Sequence, residues 1–261
     1  MPLARLVATL LATSQPNTAD PVCAPYVGQK VPTMTFAEVL ASLPQIAAKG
    51  DYETTADYEK RLVATAPTIS GPIILRQTFR RSGLSYDADK GELTIYPSAF
   101  GAEQVNFNNV FGYGGIASSE DNFTGAVGLL VDESETSKDS YEATNGFGAR
   151  FTVSRTYRTL DTVWERPGKG EQSIFVGAKT FEPVAHLKVS PEIARDVIEA
   201  GSSATLIIPR APYPKTGASV MEATFAHPRE RDDRIIVVLA DIQCAFLLNG
   251  QGTVFAAFAV R

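Results

Sequence analysis

Arg234–Leu248 reads RIIVVLADIQCAFLL, and it is followed by Asn249-Gly250-Gln251-Gly252 and by the equally apolar Gly252–Val260. Fifteen residues with so few polar interruptions, rich in β-branched and aromatic types, predict a strand buried on both faces. The Asn-Gly-Gln-Gly stretch predicts a tight turn, so the two segments form a hairpin at the centre of a sheet. The strand reading extends outward from this hairpin. Strands are expected at Ile73–Phe79, Leu84–Asp87, Glu92–Tyr96, Thr124–Val131, Phe147–Arg155, Tyr157–Trp164, Ser173–Val176, Thr180–Val189, Ala204–Pro209 and Val220–Ala226. Arg229–Arg234 (RERDDR) reads as a mixed-charge turn, and Arg210–Gly217, with two prolines, as a loop.

Three helices are expected. Thr35–Lys49 opens with a capping box, Thr35 and Glu38, and carries Phe36, Val39, Leu40, Leu43 and Ala47 on one stripe, with Pro44 as an interruption. Thr55–Ala64 follows, capped by Thr54 or Thr55, with Asp57 and Arg61 spaced for an i,i+4 ion pair. Pro191–Glu199 has Ser190 at its cap, proline at its first position and Gly201 just past its end. The sum is an α+β chain, predominantly antiparallel β, with an N-terminal helical pair and one C-terminal strand–helix–strand unit. Residues 20–261 are expected to form a single composite domain, with a split near 165–180 as the alternative.

The chain has 261 residues, 24 Lys+Arg against 29 Asp+Glu, and 44% hydrophobic residues. That length and composition support a packed core and argue against wholesale disorder. The acidic balance disfavours a nucleic-acid partner, and no apolar run is long enough for a membrane-spanning helix. Residues 1–19 have the layout of a secretory signal peptide: Arg5, the apolar run Leu6–Ala12, then a polar stretch ending at Ala19. The two cysteines, Cys23 and Cys244, lie near opposite ends and are expected to pair as a single disulfide in an oxidising compartment, periplasmic or secreted.

No stretch carries a recognisable reaction centre. His186 and His227 have no second histidine at metal-ligand spacing, and no G-x-S-x-G elbow occurs. Asp87–Glu92 (DADKGE) has the start of a calcium loop but reaches Ser98 at the twelfth position, so a hairpin turn is the better reading. Gly168-Lys169-Gly170 lacks the rest of a phosphate loop. Arg150, Arg155, Arg158 and Arg166 surround Trp164, which suggests either guanidinium stacking on the indole or simply the solvated side of a sheet. Two stretches, 101–122 and 132–145, lack periodicity and read as long loops. Phe107, Phe111 and Tyr113 crowd the first of them, with Phe123 just past its end, which makes it a candidate binding loop. No catalytic residue, cofactor or metal ligand is assigned; the expected function is an exported, non-enzymatic binding or interaction protein with a protein or small-molecule partner of unknown identity, the alternatives being a hydrolase-type enzyme with a dispersed active site and a structural envelope component.

Asp51–Arg61 (DYETTADYEKR), Tyr141–Arg150 (YEATNGFGAR) and the strand–helix–strand over Thr180–Ile208 resemble a pattern in uncharacterised bacterial exported proteins of unknown function. The resemblance implies export and brings no activity. Read physically, Asn145-Gly146 supplies a turn with positive φ and Phe147 begins a strand facing a core.

Overall fold

A computed structural model of the chain describes residues 20–44, 47, 49–65, 72–78, 83–102, 128–165, 182–210 and 215–260. Among them the chain is β-rich, with ten strands and three α-helices: α1 (Phe36–Ser42), α2 (Thr55–Thr65), β1 (Ile73–Thr78), β2 (Leu84–Asp87), β3 (Glu92–Ile95), β4 (Gly128–Thr144), β5 (Arg150–Glu165), β6 (Ala185–Lys188), α3 (Pro191–Ala200), β7 (Ser202–Pro209), β8 (Lys215–Met221), β9 (Arg229–Leu248) and β10 (Val254–Ala259). The N-terminal helical pair is present, as is a strand–helix–strand, β6–α3–β7. Residues 1–19, the candidate strand 173–176, and nearly all of the alternative boundary at 165–180 lie outside the described residues.

The apolar stretch that opened the sequence reading is the spine of a seven-stranded sheet. β9 has 20 residues and spans roughly 65 Å at strand rise. Ala240 pairs with Glu165 of β5 on one side and Pro209 of β7 on the other, so those strands flank opposite edges of β9. Cys244 likewise pairs with Ala259 of β10 and Leu206 of β7. The proximal half of the sheet is therefore β10-β9-β7-β1, and the distal half is β4-β5-β9-β8. The sheet is mixed: the expected antiparallel pairing predominates among the described strands, but β5 runs parallel to β9 over twelve residue pairs, from Ser154 with Arg229 to Glu165 with Ala240. A second sheet, β2-β3-β6, is antiparallel and three-stranded.

The proximal half is buried on both faces. On its inner face, Leu75, Ile207, Ile242, Ala245 and Leu247 pack with Phe36 and Val39 of α1, Leu93 and Ile95 of β3, Phe100 and Val197 of α3. On the outer face Ile74, Leu206, Phe246 and Leu248 are covered by the N-terminal segment through Cys23, Tyr26 and Val31. Cys23 and Cys244 are joined, with sulfurs 2.00 Å apart, and both are buried. The strap is held further along by Gly28 N–H donating to Val254 O and Val254 N–H to Gln29 O. It then crosses to the opposite edge, where Met34 N–H donates to Ile74 O and Arg76 N–H to Met34 O.

Local chemistry accounts for the helix boundaries. Thr35 and Glu38 form the reciprocal capping box. α1 ends at Ser42, well before Lys49, because the residue preceding a proline avoids helical backbone, and Leu43 has ψ 137° before Pro44. Thr54 Oγ1 accepts the Asp57 N–H at the start of α2. Arg61 does not pair with Asp57 but reaches back to Glu53 with two bonds of 2.8 Å, since a carboxylate just before the helix offers both oxygens to the guanidinium fork. Ser190 caps α3 and Gly201 takes the left-handed conformation after it, φ 55°.

Candidate functional surface

The distal half of the sheet departs most from the sequence reading. The polar stretch 132–145 is not a loop: β4 runs without interruption from Gly128 to Thr144, opposite β5. Arg229–Arg234 is likewise strand, the first third of β9, and Phe147–Arg155 and Tyr157–Trp164 are one strand, β5, not two. β8 begins at Lys215, inside the expected loop 210–217, and ends at Met221, short of Ala226. These strands carry charged residues because both of their faces reach solvent, and charge pairing across strands replaces a core.

On the continuation of the inner face, Arg155 donates to Glu230, lies 3.9 Å from Asp232, and stacks over the rings of Tyr141 and Tyr157, 5.1 and 5.8 Å from their centroids. Tyr141 Oη donates to Glu230 at 2.6 Å. That bond raises the Tyr141 phenol and lowers the Glu230 carboxyl from their ordinary values. On the other face Arg158 donates through Nε and Nη2 to Asp233 at 2.8 and 2.9 Å and also pairs with Glu133, while Arg231 Nε lies 3.0 Å from Asp233. Of the two readings of these arginines, stacking or a solvated sheet face, the described residues show Arg155 stacked on tyrosines and Arg158 in a network of ion pairs. Trp164 itself is buried with Leu160, Ile235, Val237 and Leu239 at the root of the distal half. Arg166 lies outside the described residues.

At the same root Asp132 and Asp161 face each other across β4 and β5, beside a register shift between Leu130 and Asp132. Burial, and secondarily the Asp132 charge, push the Asp161 carboxyl up to about 6.

The distal end is aromatic. Asn145 organises the β4–β5 turn through its side chain, whose Oδ1 accepts the N–H groups of Phe147 and Ala149. The positive φ falls on Gly148, at 82°, and not on Gly146. Phe147 consequently does not begin a core-facing strand; it stands at the tip, 98% exposed. Nearby, Phe151 meets Phe225 edge to face at 5.4 Å, and Phe225 is 60% exposed.

The remaining candidates are placed as follows. Asp87 Oδ1 accepts the N–H groups of Asp89 and Lys90, and Gly91 has φ 58°, so DADKGE is the β2–β3 hairpin turn. His186 lies on the exposed side of the small sheet, its Nδ1 3.3 Å from Glu92 and 3.2 Å from Thr94 Oγ1. Acid and hydroxyl approach the same ring nitrogen, so this trio lacks the two-sided arrangement by which an imidazole relays a proton from nucleophile to orienting acid. His227 sits in the exposed turn before β9, its N–H bonded to Thr224. Phe107, Phe111, Tyr113, Phe123 and Gly168-Lys169-Gly170 lie outside the described residues. Among the described residues no group of three or more His, Cys, Asp or Glu is placed to hold a metal ion, and no helix is long and apolar enough to cross a membrane. Arg155, Arg158 and Tyr141 were missed as a surface because the sequence reading assigned one of their strands to a loop. The visible signal was acidic 132–142 facing basic 150–158 across the Asn-Gly turn. Compared with family models, curated proteins and solved structures, the chain matches none of them.

Proposed function

We propose that this chain is an exported, non-enzymatic binding or interaction protein, periplasmic or secreted, that meets its partner with the distal half of the large sheet. The observation that carries this reading is the nearly fully exposed Phe147 on a turn whose backbone groups are bonded internally. An apolar ring held rigidly in water gains by burial in a partner, roughly 2 kcal/mol for a full phenylalanine side chain, without an ordering cost in its own turn. The ion-paired faces behind it add polar complementarity of the kind found at an interface rim. Export is supported by the layout of residues 1–19 and by the cysteine pair, which needs an oxidising compartment to persist.

The experiment is site-specific photocrosslinking in the native host. A photoreactive residue at position 147 is expected to give one recurrent adduct, and the same residue at Tyr52, fully exposed on the body, none of that mass. Equal or absent adducts at both positions would remove the distal tip as the binding element.

A further inference from the structure

Two hairpins of the large sheet are closed by the same pattern. Asn145-Gly146-Phe147-Gly148 joins β4 to β5, and Asn249-Gly250-Gln251-Gly252 joins β9 to β10. Their internal bonding is the same. In each the asparagine Oδ1 accepts two backbone N–H groups at 3.0 and 2.9 Å, from Phe147 and Ala149 in one and from Gln251 and Thr253 in the other. In each the second glycine is left-handed, φ 82° and 74°, and its N–H donates to the asparagine carbonyl at 2.9 Å. Their surroundings differ. The proximal turn is fastened from outside: Thr253 bridges to Lys30 of the strap, Val254 exchanges bonds with Gly28 and Gln29, and Asp196 of α3 stands over Gly250, its Oδ1 2.6 Å from where a Cβ would be. At the distal turn nothing lies within 4 Å of a Cβ on Gly146, and among the described residues every hydrogen bond of 145–149 stays inside the turn.

We propose that Asn145 is a site of spontaneous covalent modification, its side-chain amide lost through a cyclic imide with the main chain, and that Asn249 is shielded from the same reaction. The Gly146 nitrogen gives its proton to solvent base and attacks Cγ of Asn145. The new C–N bond closes a five-membered ring, and Nδ2 gains a proton and leaves as ammonia. Water then opens the imide at either carbonyl, leaving an aspartate or, with the main chain rerouted through the side-chain carbon, an isoaspartate. Three features of the turn favour the reaction. Nucleophile and carbonyl belong to neighbouring residues, so the step is intramolecular. Glycine puts no side chain beside the attacking nitrogen. The two N–H groups on Oδ1 lie where the negative charge of the tetrahedral intermediate collects. Asn249 shares all three and so serves as an internal control. There the Asp196 carboxylate opposes an anionic Gly250 nitrogen, worth ~10-fold or more in rate at a few ångströms near the surface. The strap and α3 also resist the rotation of the peptide that ring closure needs. An isoaspartate adds a main-chain carbon two residues before Phe147, so the reaction displaces the distal tip and spares the proximal hairpin. The chemistry is read on the pure chain, so its outcome is independent of the partner assigned to Phe147.

The test is incubation of the purified, disulfide-bonded chain in mildly alkaline buffer, with peptide mapping that resolves isoaspartate at residues 145 and 249 separately. In the folded chain Asn145 is expected to convert ~10-fold or more faster than Asn249; in urea, where the two dipeptides are alike, the rates are expected to converge. Gly146→Ala has room for its Cβ and no left-handed φ to strain it. It is expected to slow conversion at 145 by ~10-fold or more and to leave 249 unchanged. Asp196→Asn, an exposed change on α3, is expected to speed conversion at Asn249 alone. Equal rates at the two sites in the folded chain, a faster rate at Asn249, or no response of Asn249 to Asp196→Asn would each overturn the proposal.

Discussion

Replacing both cysteines, Cys23→Ala with Cys244→Ala, probes how the N-terminal strap is held. The bond closes a loop with a sequence separation of 221. In the chain-entropy model such a loop removes roughly 18 cal/mol/K from the unfolded ensemble, or about 5 kcal/mol at 25 °C. Measured losses for native disulfides fall at about 2–5 kcal/mol, so a destabilisation in that range is expected from urea unfolding followed by tryptophan fluorescence. Trp164 is the single tryptophan and lies away from the bond, so it reports the global transition. The structure adds a local consequence. Without the bond, residues 20–23 keep little else, whereas the segment from Tyr26 to Met34 still has Tyr26 against Phe246, with ring centroids 5.1 Å apart, the Gly28 and Gln29 bonds to Val254, and the Met34 bridge. Amide exchange is therefore expected to rise first at Cys23→Ala itself and Ala24, less at Gly28 and Val254, and least at Leu75. A loss below about 1 kcal/mol with unchanged exchange over 20–31 would refute the view that the bond restrains the unfolded chain and anchors the strap.

Other perturbations follow from the same geometry. Asp161 has a folded-state value raised to about 6, so the folded chain holds its proton more tightly than the unfolded chain does. Its contribution is unfavourable above pH 6, and stability is regained as pH falls from 6 towards 4. Asp161→Asn is expected to stabilise at pH 7.5 by roughly 1 kcal/mol, screening by solvent reducing the full value, and to be neutral near pH 4; a gain of equal size at both pH values would contradict this. Arg158→Ala leaves the buried Asp233 with Arg231 as its remaining cation among the described residues, and a cost of about 2–4 kcal/mol in denaturant unfolding is expected, against under ~1 kcal/mol for the exposed Lys138→Ala. Gly101 has φ 73°, and a Cβ there would come 2.0 Å from Leu130 O, so Gly101→Ala is expected to cost more than about 1 kcal/mol, read as a lowered thermal midpoint.

The sequence made the proximal half of the sheet legible and the distal half nearly illegible, and the reason is physical. Where a face is buried, apolar residues record the strand, as in Ile235–Leu248 and in the alternation of β3. Where both faces meet water, as from Asp132 to Thr144, nothing selects apolar side chains, and a strand of charges reads like a loop. The helix caps at Thr35, Thr54 and Ser190 were legible because capping is local. The parallel pairing of β5 with β9 was not, since it joins residues 75 apart and leaves no local mark. The Cys23–Cys244 pairing was legible from the count alone, there being one way to pair two cysteines. The placement of Phe147 failed for a related reason: an aromatic after a turn is ordinarily the first core residue of a strand, and only the side-chain bonding of Asn145 and the left-handed Gly148 turn it outward.

The claim on which the functional reading rests is that the chain works outside the cytosol with its strap covalently fastened. Peptide mass mapping of the protein taken from its native host, under non-reducing conditions and after blocking of any thiols, addresses both parts together. The account expects an N-terminus near residue 20 and a linked peptide pair containing Cys23 and Cys244. A chain still beginning at Met1, with both cysteines recovered as blocked thiols, would contradict it.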